Sequence, residues 1–386
     1  GNSKHCGVCA QVLVKNGRTA AGTQRWICQS CGSSSVRRRP DLARRNELTG
    51  FLSWLTGKAS QRELDGGTGR SFRAQHAWCW NITPSIPVTG EIYPEVQLDG
   101  LYLDGGWCVL IAINHTGHVI ARQWAMSENQ AAWETMLARL PPPEALVCDG
   151  GAGLLAALRT TWPGVRLQRC LVHVQRNVRR QLTTKPRTEA GKSLRRLSLA
   201  LTKITTQTEA TTWLKALNAW HSQYGHLVKQ RTYRTQAPFI PGWVRPGQHW
   251  WFTHDRLRRA YRLLERLARE ETLFTYLEPT LEGHAINATT NQIEGGVNAQ
   301  LRHLLRTHRG MTSTHQRRAI DWWCYLHSEN PPAPADLIRP EHYTPKPARP
   351  ATTIETNPGP ASYDTGLTAE EGLWTRSGWA GRSHHT

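Results

Sequence analysis

Residues 95–104 read EVQLDGLYLD, and the fold turns on whether this stretch is a strand. Val96, Leu98 and Tyr102 alternate onto one face, the period of a half-buried β-strand. Asp99 falls in the middle of that strand. Aspartate is depleted from strands, so a sequence shaped by burial alone would not place one there. Asp99 is therefore a candidate functional acid. Asp104 is its competitor, but it stands at the strand end beside Gly105 and Gly106, where a turn explains an aspartate.

Working outward, WCVLIAIN (107–114) and HVIARQWAM (118–126) read as two further strands joined as a hairpin around Asn114–Gly117. Gln130–Leu140 is an amphipathic helix stopped by Pro141–Pro143. ALVCDGG (145–151) is a buried strand that ends on a second acid, Asp149. GLLAALRTTW (153–162) reads as a helix, VRLQRC (165–170) as a strand and LVHVQRNVRRQL (171–182) as a basic helix. Three antiparallel strands followed by β-α-β crossovers is a ribonuclease H-like arrangement. Its first and fourth strands lie side by side, which would bring Asp99 next to Asp149.

A third acid comes much later, in Ala288–Gly310, ATTNQIEGGVNAQLRHLLRTHRG. Asn291, Glu294 and Asn298 are three and four apart, so on an α-helix they share a face. Arg302, His303, Arg306, His308 and Arg309 follow. One carboxylate among amides, with cations after it, suits a metal ion beside a phosphate backbone. Asn291-x-x-Glu294 also has the form of a capping box, in which Glu294 would only satisfy a backbone N–H.

Between the second and third acids, residues 187–284 read as an all-helical insertion. Trp213, Leu217, Trp220 and Tyr224 form one apolar stripe, and Leu257, Tyr261, Leu264 and Ala268 another. The Pro- and Trp-rich stretch APFIPGWVRPGQHWWF (237–252) separates them. Residues 285–330 carry the Glu294 helix and a closing helix with Trp322 and Trp323. Residues 331–386 form a Pro-rich tail that reads as extended or disordered and ends in the basic-aromatic GLWTRSGWAGR.

The N-terminus holds two further modules. Cys6-Gly-Val-Cys9 and Cys28-Gln-Ser-Cys31 are paired C-x2-C knuckles, the pattern of a zinc ribbon over residues 1–36. Four thiolates close a tetrahedral site with no open position, so this Zn2+ would be structural. Arg25 lies between the knuckles and could face nucleic acid. The linker SSSVRRRPDLARR (33–45) carries Arg37, Arg38 and Arg39 and leads to a helix capped by Asp41. Residues 37–84 then read as a helix-turn-helix, with Ser60–Glu63 as a capping box. Arg70, Arg73, Gln75 and His76 are its groove-facing candidates, and Trp78 and Trp80 its core. ITPSIPVTGEIYP (82–94) links it to the core, which begins at 92 and runs first to 186.

Composition limits the partners. Lys and Arg number 48 against 29 acids, a net +19, with a sequence pI near 10.0 and a mean hydropathy of −0.53. Such a balance points to a polyanion, with double-stranded DNA the expected partner. Residues 159–270 carry 23 basic side chains against 5 acids, whereas 95–150 carry 2 against 7. Basic flanks would hold DNA and the acidic centre would hold cations. No apolar run is long enough to span a membrane, and no signal peptide is seen. Five cysteines scattered outside the knuckles fit a reducing cytoplasm.

Taken together, Asp99 in LDG, Asp149 in CDGG, Cys170-Leu-Val-His173 and Glu294 in TTNQIEGGVNAQLR resemble the Mutator-like transposases of bacterial insertion sequences. The resemblance covers roughly residues 6–328. It implies a DDE recombinase whose catalytic acids are Asp99, Asp149 and Glu294, holding Mg2+ or Mn2+ for two-metal phosphoryl transfer. It also implies binding to terminal inverted repeats and a dimer or higher oligomer on DNA. Cys170, His173, Asn291 and Asn298 would support the site, and Arg302, Arg306 and Arg309 would contact DNA. Two rival readings of the residues are a non-catalytic DNA-binding regulator and a ribonuclease H-like nuclease or resolvase.

The paired knuckles generate a direct test. Elemental analysis of freshly purified, reduced protein is expected to find about one Zn per chain. Cys28→Ser should lose that metal, and zinc-free wild-type protein would refute the assignment.

Overall fold

The computed structural model describes residues 5–6, 8–20, 22, 24–35, 40–103, 105–280 and 283–343. Arg37, Arg38, Arg39, Asp104 and GLWTRSGWAGR lie outside them. The chain gathers into two compact units. Among the described residues, one holds those up to Pro87 together with 300–343, and the other holds those of Val88–Ala299.

The first unit begins with a three-stranded antiparallel sheet, β1 (Leu13–Arg18), β2 (Gln24–Cys28) and β3 (Ser34–Ser35). The cysteine knuckles flank it with matching backbone turns. Ala10 N donates to Cys6 O and Gly32 N to Cys28 O. The residue after each second cysteine takes positive φ, +59° at Ala10 and +73° at Gly32. Ala10 adopts a left-handed conformation that costs an L-residue about 1–2 kcal/mol. Helices α1 (Pro40–Thr56), α2 (Gln61–Asp65) and α3 (Arg70–His76) follow. The α1 helix already starts at Pro40, which places Asp41 within its first turn. Proline suits that first position because its missing N–H has no helical partner anyway. The expected capping box at Ser60–Glu63 forms.

The second unit is built on a five-stranded mixed sheet in the order β6-β5-β4-β7-β8. Its strands are β4 (Glu95–Tyr102), β5 (Cys108–Asn114), β6 (Val119–Ala125), β7 (Ala145–Cys148) and β8 (Arg166–Arg169). β4–β5–β6 is an antiparallel meander, while β7 and β8 run parallel to β4. α4 (Gln130–Leu137) and α5 (Ala152–Thr161) supply the connections. One face of the sheet packs Leu98, Leu110 and Leu146 against Trp133, Met136, Leu154 and Leu158. β5 is buried at every residue, which explains why its sequence does not alternate.

α6 (Leu171–Leu182) opens a second core with α7 (Glu189–Ala200), α8 (Gln207–Lys229) and α9 (Asp255–Arg269). The two aromatic stripes read from the sequence meet here, Trp220 stacking on Tyr261 at 5.0 Å. This insertion is not all-helical. Arg231–Tyr233 (β9) and Trp250–Phe252 (β10) pair as a hairpin that bounds the Pro-rich stretch. Aromatic and β-branched pairs favour such a ladder, and the Arg231 guanidinium lies 4.0 Å from the Trp250 ring centre.

The chain then passes through a π-helical turn, Gln292–Asn298. It goes on to α10 (Ala299–Thr307), α11 (Ser313–Leu326) and α12 (Pro340–Tyr343). From Gln300 these residues complete the first unit. There the His308 Nε2–H donates to Leu55 O (2.9 Å) and the ring packs on Trp54. Glu47 is buried between Arg44 (2.7 Å) and the Trp78 indole N–H (2.9 Å). The start of the Pro-rich tail is packed and not extended: Asn81 Nδ2 donates to His342 O at 2.7 Å, and Arg44 covers the Tyr343 ring.

Trp133 is 1 % exposed at the centre of the sheet–helix core. Trp133→Ala is expected to destabilise the protein by about 3–5 kcal/mol, from lost burial and the cavity left behind. A denaturant titration followed by circular dichroism measures this, and a loss under 1 kcal/mol would mean the site collapses to fill the gap.

Candidate active site

The site is assembled where β4 and β7 run side by side. Their register pairs Leu98 with Cys148, so the residues that follow, Asp99 and Asp149, emerge next to each other. Beyond Asp149 the chain turns sharply. Gly150 sits at φ +83°, and a Cβ there would come within 1.8 Å of the Arg169 guanidinium carbon. Only glycine satisfies both demands. Arg169 donates to the Asp149 carbonyl oxygen at 2.6 Å, and Gly151 N donates to Asp149 Oδ1 at 2.9 Å. The second acid is thereby held at main chain and side chain alike.

Glu294 arrives on an arm pinned at several points. Asn287 donates through its backbone N and its Nδ2 to the buried carboxylate of Glu95. Leu171 N donates to Ala288 O at 3.0 Å. Thr290 donates to the Cys170 sulfur through its backbone N (3.3 Å) and its hydroxyl (3.2 Å), and that hydroxyl also contacts Glu294 Oε1. Ile293 N donates to Gln97 Oε1 on β4 at 3.2 Å.

The turn that carries Glu294 is a π-helix, a form that recurs at functional sites. Its wider turn changes which residues share a face. Asn298 reaches the site, donating from Nδ2 to Asp99 Oδ2 at 2.6 Å. Asn291 does not: it is exposed and makes no side-chain cap, so the capping-box alternative fails.

Cys170 and His173 stand at the start of α6, facing the same cluster. His173 Nδ1 lies 3.3 Å from Glu294 Oε1 without hydrogen-bond alignment, and Arg176 Nη1 lies 3.4 Å from Glu294 Oε2. The donor atoms of Cys170, His173 and Glu294 fall within 4.8 Å of one another, one short of a closed tetrahedral metal set. Burial works against the imidazolium. The Cys170 contact and the charges of Glu294 and Asp149 overcome it and raise His173 to about 9. Burial and then the charges of Asp149, Glu128 and Glu294 hold Asp99 well above the ordinary carboxylate range. The three other acids thus all act on Asp99.

The distal candidates divide. Cys6, Cys9, Cys28 and Cys31 bring their sulfurs within 4.8 Å of one another, a cluster compatible with a zinc ribbon. Backbone N–H groups, those of Val8 and Cys9 first, lower the Cys6 thiol to about 6, while contacts with the other three sulfurs push Cys31 up to about 12. Arg25, Arg70, Arg73, Gln75, Arg306 and Arg309 are exposed, and Arg302 is half-buried. His76 is withdrawn from the groove-facing set: it is 7 % exposed, and its Nδ1 is bound to Phe72 O at 2.7 Å. His308 is buried in the same way.

Sequence reasoning missed Glu128, Thr290, Arg169 and Arg176. Thr290 had a signal, since it stands four residues before Glu294 on the same helical rise. Arg169 had only its place beside Cys170. Glu128 had none, because an acid just before a helix reads as a favourable partner of the helix dipole.

Residues 90–250, which include Asp99 and Asp149, match the sequence model of the Mutator family of transposases. Over this segment the chain is similar to the Mutator family. Its curated relatives agree. A transposase for insertion sequence element IS406 of Burkholderia multivorans is 34 % identical over 145 residues, covering 36 % of this chain and 37 % of the relative. A transposase for ISRM5 of Rhizobium meliloti is 27 % identical over 194 residues, 48 % of this chain and 46 % of the relative. A transposase for IS1201 of Lactobacillus helveticus is 30 % identical over 129 residues, 31 % of this chain and 34 % of the relative. The chain thus spans between about a third and a half of the length of these relatives. No helix among the described residues is long and apolar enough to cross a membrane.

The anchoring of the Glu294 arm is testable. Glu95→Ala would remove the carboxylate that accepts from the Asn287 N–H, a charge-assisted hydrogen bond of about 1.5–3 kcal/mol. Amide exchange at Asn287 should accelerate, and unchanged protection there would show that Glu95 does not hold the arm.

Proposed function

We propose that this Mutator-family chain is the DNA transposase of a bacterial insertion sequence. In this reading it binds terminal inverted repeats as double-stranded DNA and catalyses metal-dependent strand cleavage and transfer. Asp99, Asp149 and Glu294 form its catalytic triad on a ribonuclease H-like core. The cysteine ribbon and the α2–α3 pair are its DNA-reading modules, with Arg70, Arg73 and Gln75 of α3 as groove contacts. The chain acts in the bacterial cytoplasm, as a dimer or higher oligomer on DNA.

The observation that carries this reading is the convergence of acids on Asp99, which the β4–β7 register sets beside Asp149; burial and the charges of Asp149, Glu128 and Glu294 disfavour its anion, and His173 and Asn298 offset them only in part. Such a cluster is unstable alone and suits a divalent cation. Asn298 adds an orphaned acceptor: it is 1 % exposed, and its Oδ1 has no hydrogen-bond partner. The oxygen-rich donor set fits Mg2+ or Mn2+, held by Asp99, Asp149 and Glu294. When bound, the metal would activate a water or 3′-hydroxyl and stabilise the leaving oxygen.

The remaining work falls to the chain itself. Asn298 fixes the Asp99 carboxylate through its Nδ2. The hydroxyl of Thr290 orients Glu294. Arg176 and a protonated His173 lie beside Glu294 and limit its repulsion from the other acids. Arg169 and Gly150 hold the Asp149 loop so that its carboxylate needs little reorganisation on binding.

Asp99→Asn, Asp149→Asn and Glu294→Gln should each abolish cleavage and strand transfer in Mg2+ while repeat binding persists or strengthens. Gel-shift and strand-transfer assays on the same preparations measure both. A Glu294→Gln enzyme that joins strands at near wild-type rate would remove Glu294 from the triad.

A further inference from the structure

Glu128 lies in the connection between β6 and α4, two elements away from any acid that the sequence suggested. It does not serve the helix it precedes. Asn129 already caps α4, its Oδ1 accepting from Ala132 N at 2.9 Å. The Glu128 side chain turns instead over β4. A Cβ on Gly100 would stand 2.4 Å from both its carboxyl carbon and its Oε1. Gly100 needs no unusual backbone angle, so its missing side chain answers a need for space. The glycine next to Asp99 leaves the gap that the Glu128 carboxylate fills. Tyr102, two residues along the same strand face, accepts from Glu128 N at 3.3 Å. The N-terminus of α5 closes on the same turn, since a Cβ on Gly153 would come within 2.1 Å of Glu128 O.

This fit has an electrostatic cost. Burial, followed by the charge of Asp149, pushes Glu128 up to about 8, and both influences act in one direction. Glu128 in turn raises Asp99. Glu128 and Asp149 line one cleft of about 650 Å3, together with Arg180, Arg259 and Arg266. A side chain with a merely structural role would gain by being neutral here, and glutamine would fill the same volume without repulsion. The orphaned Oδ1 of Asn298, buried beside Asp99, is a second and independent sign that this cluster is shaped for an oxygen-seeking ligand.

From the Gly100 gap, the shared cleft and the orphaned amide oxygen, we propose that Glu128 is a fourth carboxylate of the metal-binding set, acting with Asp99 and Asp149 on a divalent cation. The proposal rests on the metal-dependent reading above and adds a ligand to it. Glu128 reaches the cations from the α4 side of the sheet, whereas Asn298 fixes Asp99 from the side of the π-helical turn.

The test is Mn2+ binding to the full-length chain without DNA, read by electron paramagnetic resonance of free Mn2+, together with the melting temperature of the metal-free protein. Glu128→Gln should weaken Mn2+ binding by roughly tenfold or more and, at about pH 9 where the wild-type carboxylate is ionised, should raise the metal-free melting temperature, because a repulsive charge has gone. Gly100→Ala keeps the carboxylate but displaces it, and should weaken Mn2+ in the same way. Wild-type Mn2+ affinity in Glu128→Gln, alongside weakened binding in Asp149→Asn, overturns the proposal and leaves the triad standing. Wild-type affinity in both variants overturns the triad reading as well. A lower metal-free melting temperature in Glu128→Gln would mark the residue as a structural brace and overturn its role as a ligand.

Discussion

The second unit depends on one pairing, the parallel ladder that joins β4 to β7. It links the strand that opens the meander to the strand that opens the crossovers. Without it, Asp99 and Asp149 would belong to separate pieces of sheet. The pairing concentrates negative charge at one point, and the surrounding structure responds to that. Gly150 yields its space to Arg169, Gly100 yields its space to Glu128, and the thiol and acids around His173 raise its pKa to about 9 against the effect of burial. Small residues and buried cations are arranged around the convergence because a low-dielectric interior magnifies repulsion between like charges.

The arm bearing Glu294 illustrates how a distant residue is delivered accurately. From Asn287 to Ile293 its backbone is read by Glu95, Leu171, Cys170 and Gln97, each on an element of the sheet or on α6. Two of these partners, Glu95 and Gln97, are polar residues on a strand whose neighbours are apolar, and both are almost fully buried. Gln97 Nε2 donates to Glu95 Oε1 at 2.8 Å, and the arm supplies further partners to both. Cys170 plays a similar part at the head of α6, since its sulfur accepts from Thr290 while His173 stands one turn on. The C-x2-H pair is thereby an organising element for the Glu294 arm, whatever else it does.

The same logic separates side chains that face solvent from those that build the first unit. A run of basic residues invites reading as a nucleic-acid contact, yet His76 and His308 are drawn inward to cap carbonyl groups at Phe72 and Leu55. Neutral histidine tolerates burial, and burial holds His308 below its ordinary pKa. Arginine resists such desolvation, and Arg70, Arg73, Arg306 and Arg309 remain exposed. Histidine within a basic stretch is thus a weak indicator of DNA contact.

Periodicity, turn chemistry and cysteine spacing determined much of this protein. They located the strands of the mixed sheet, the paired knuckles, the aromatic stripes of the helical insertion and Asp99 as an acid out of place in a strand. These are signals of local physics, carried by residues close together in the chain. Only the tertiary structure decided the rest. The hairpin inside the insertion depends on strands separated by a long loop. The π-helical turn at Glu294 replaced the α-helical face, admitting Asn298 and leaving Asn291 in solvent. The return of residues from Gln300 onward to the first unit is a matter of long-range packing. Glu128 was invisible for the same reason. Its environment is made by Gly100 on a neighbouring strand and Asp149 beyond a crossover, and nothing near it in the sequence reports either one.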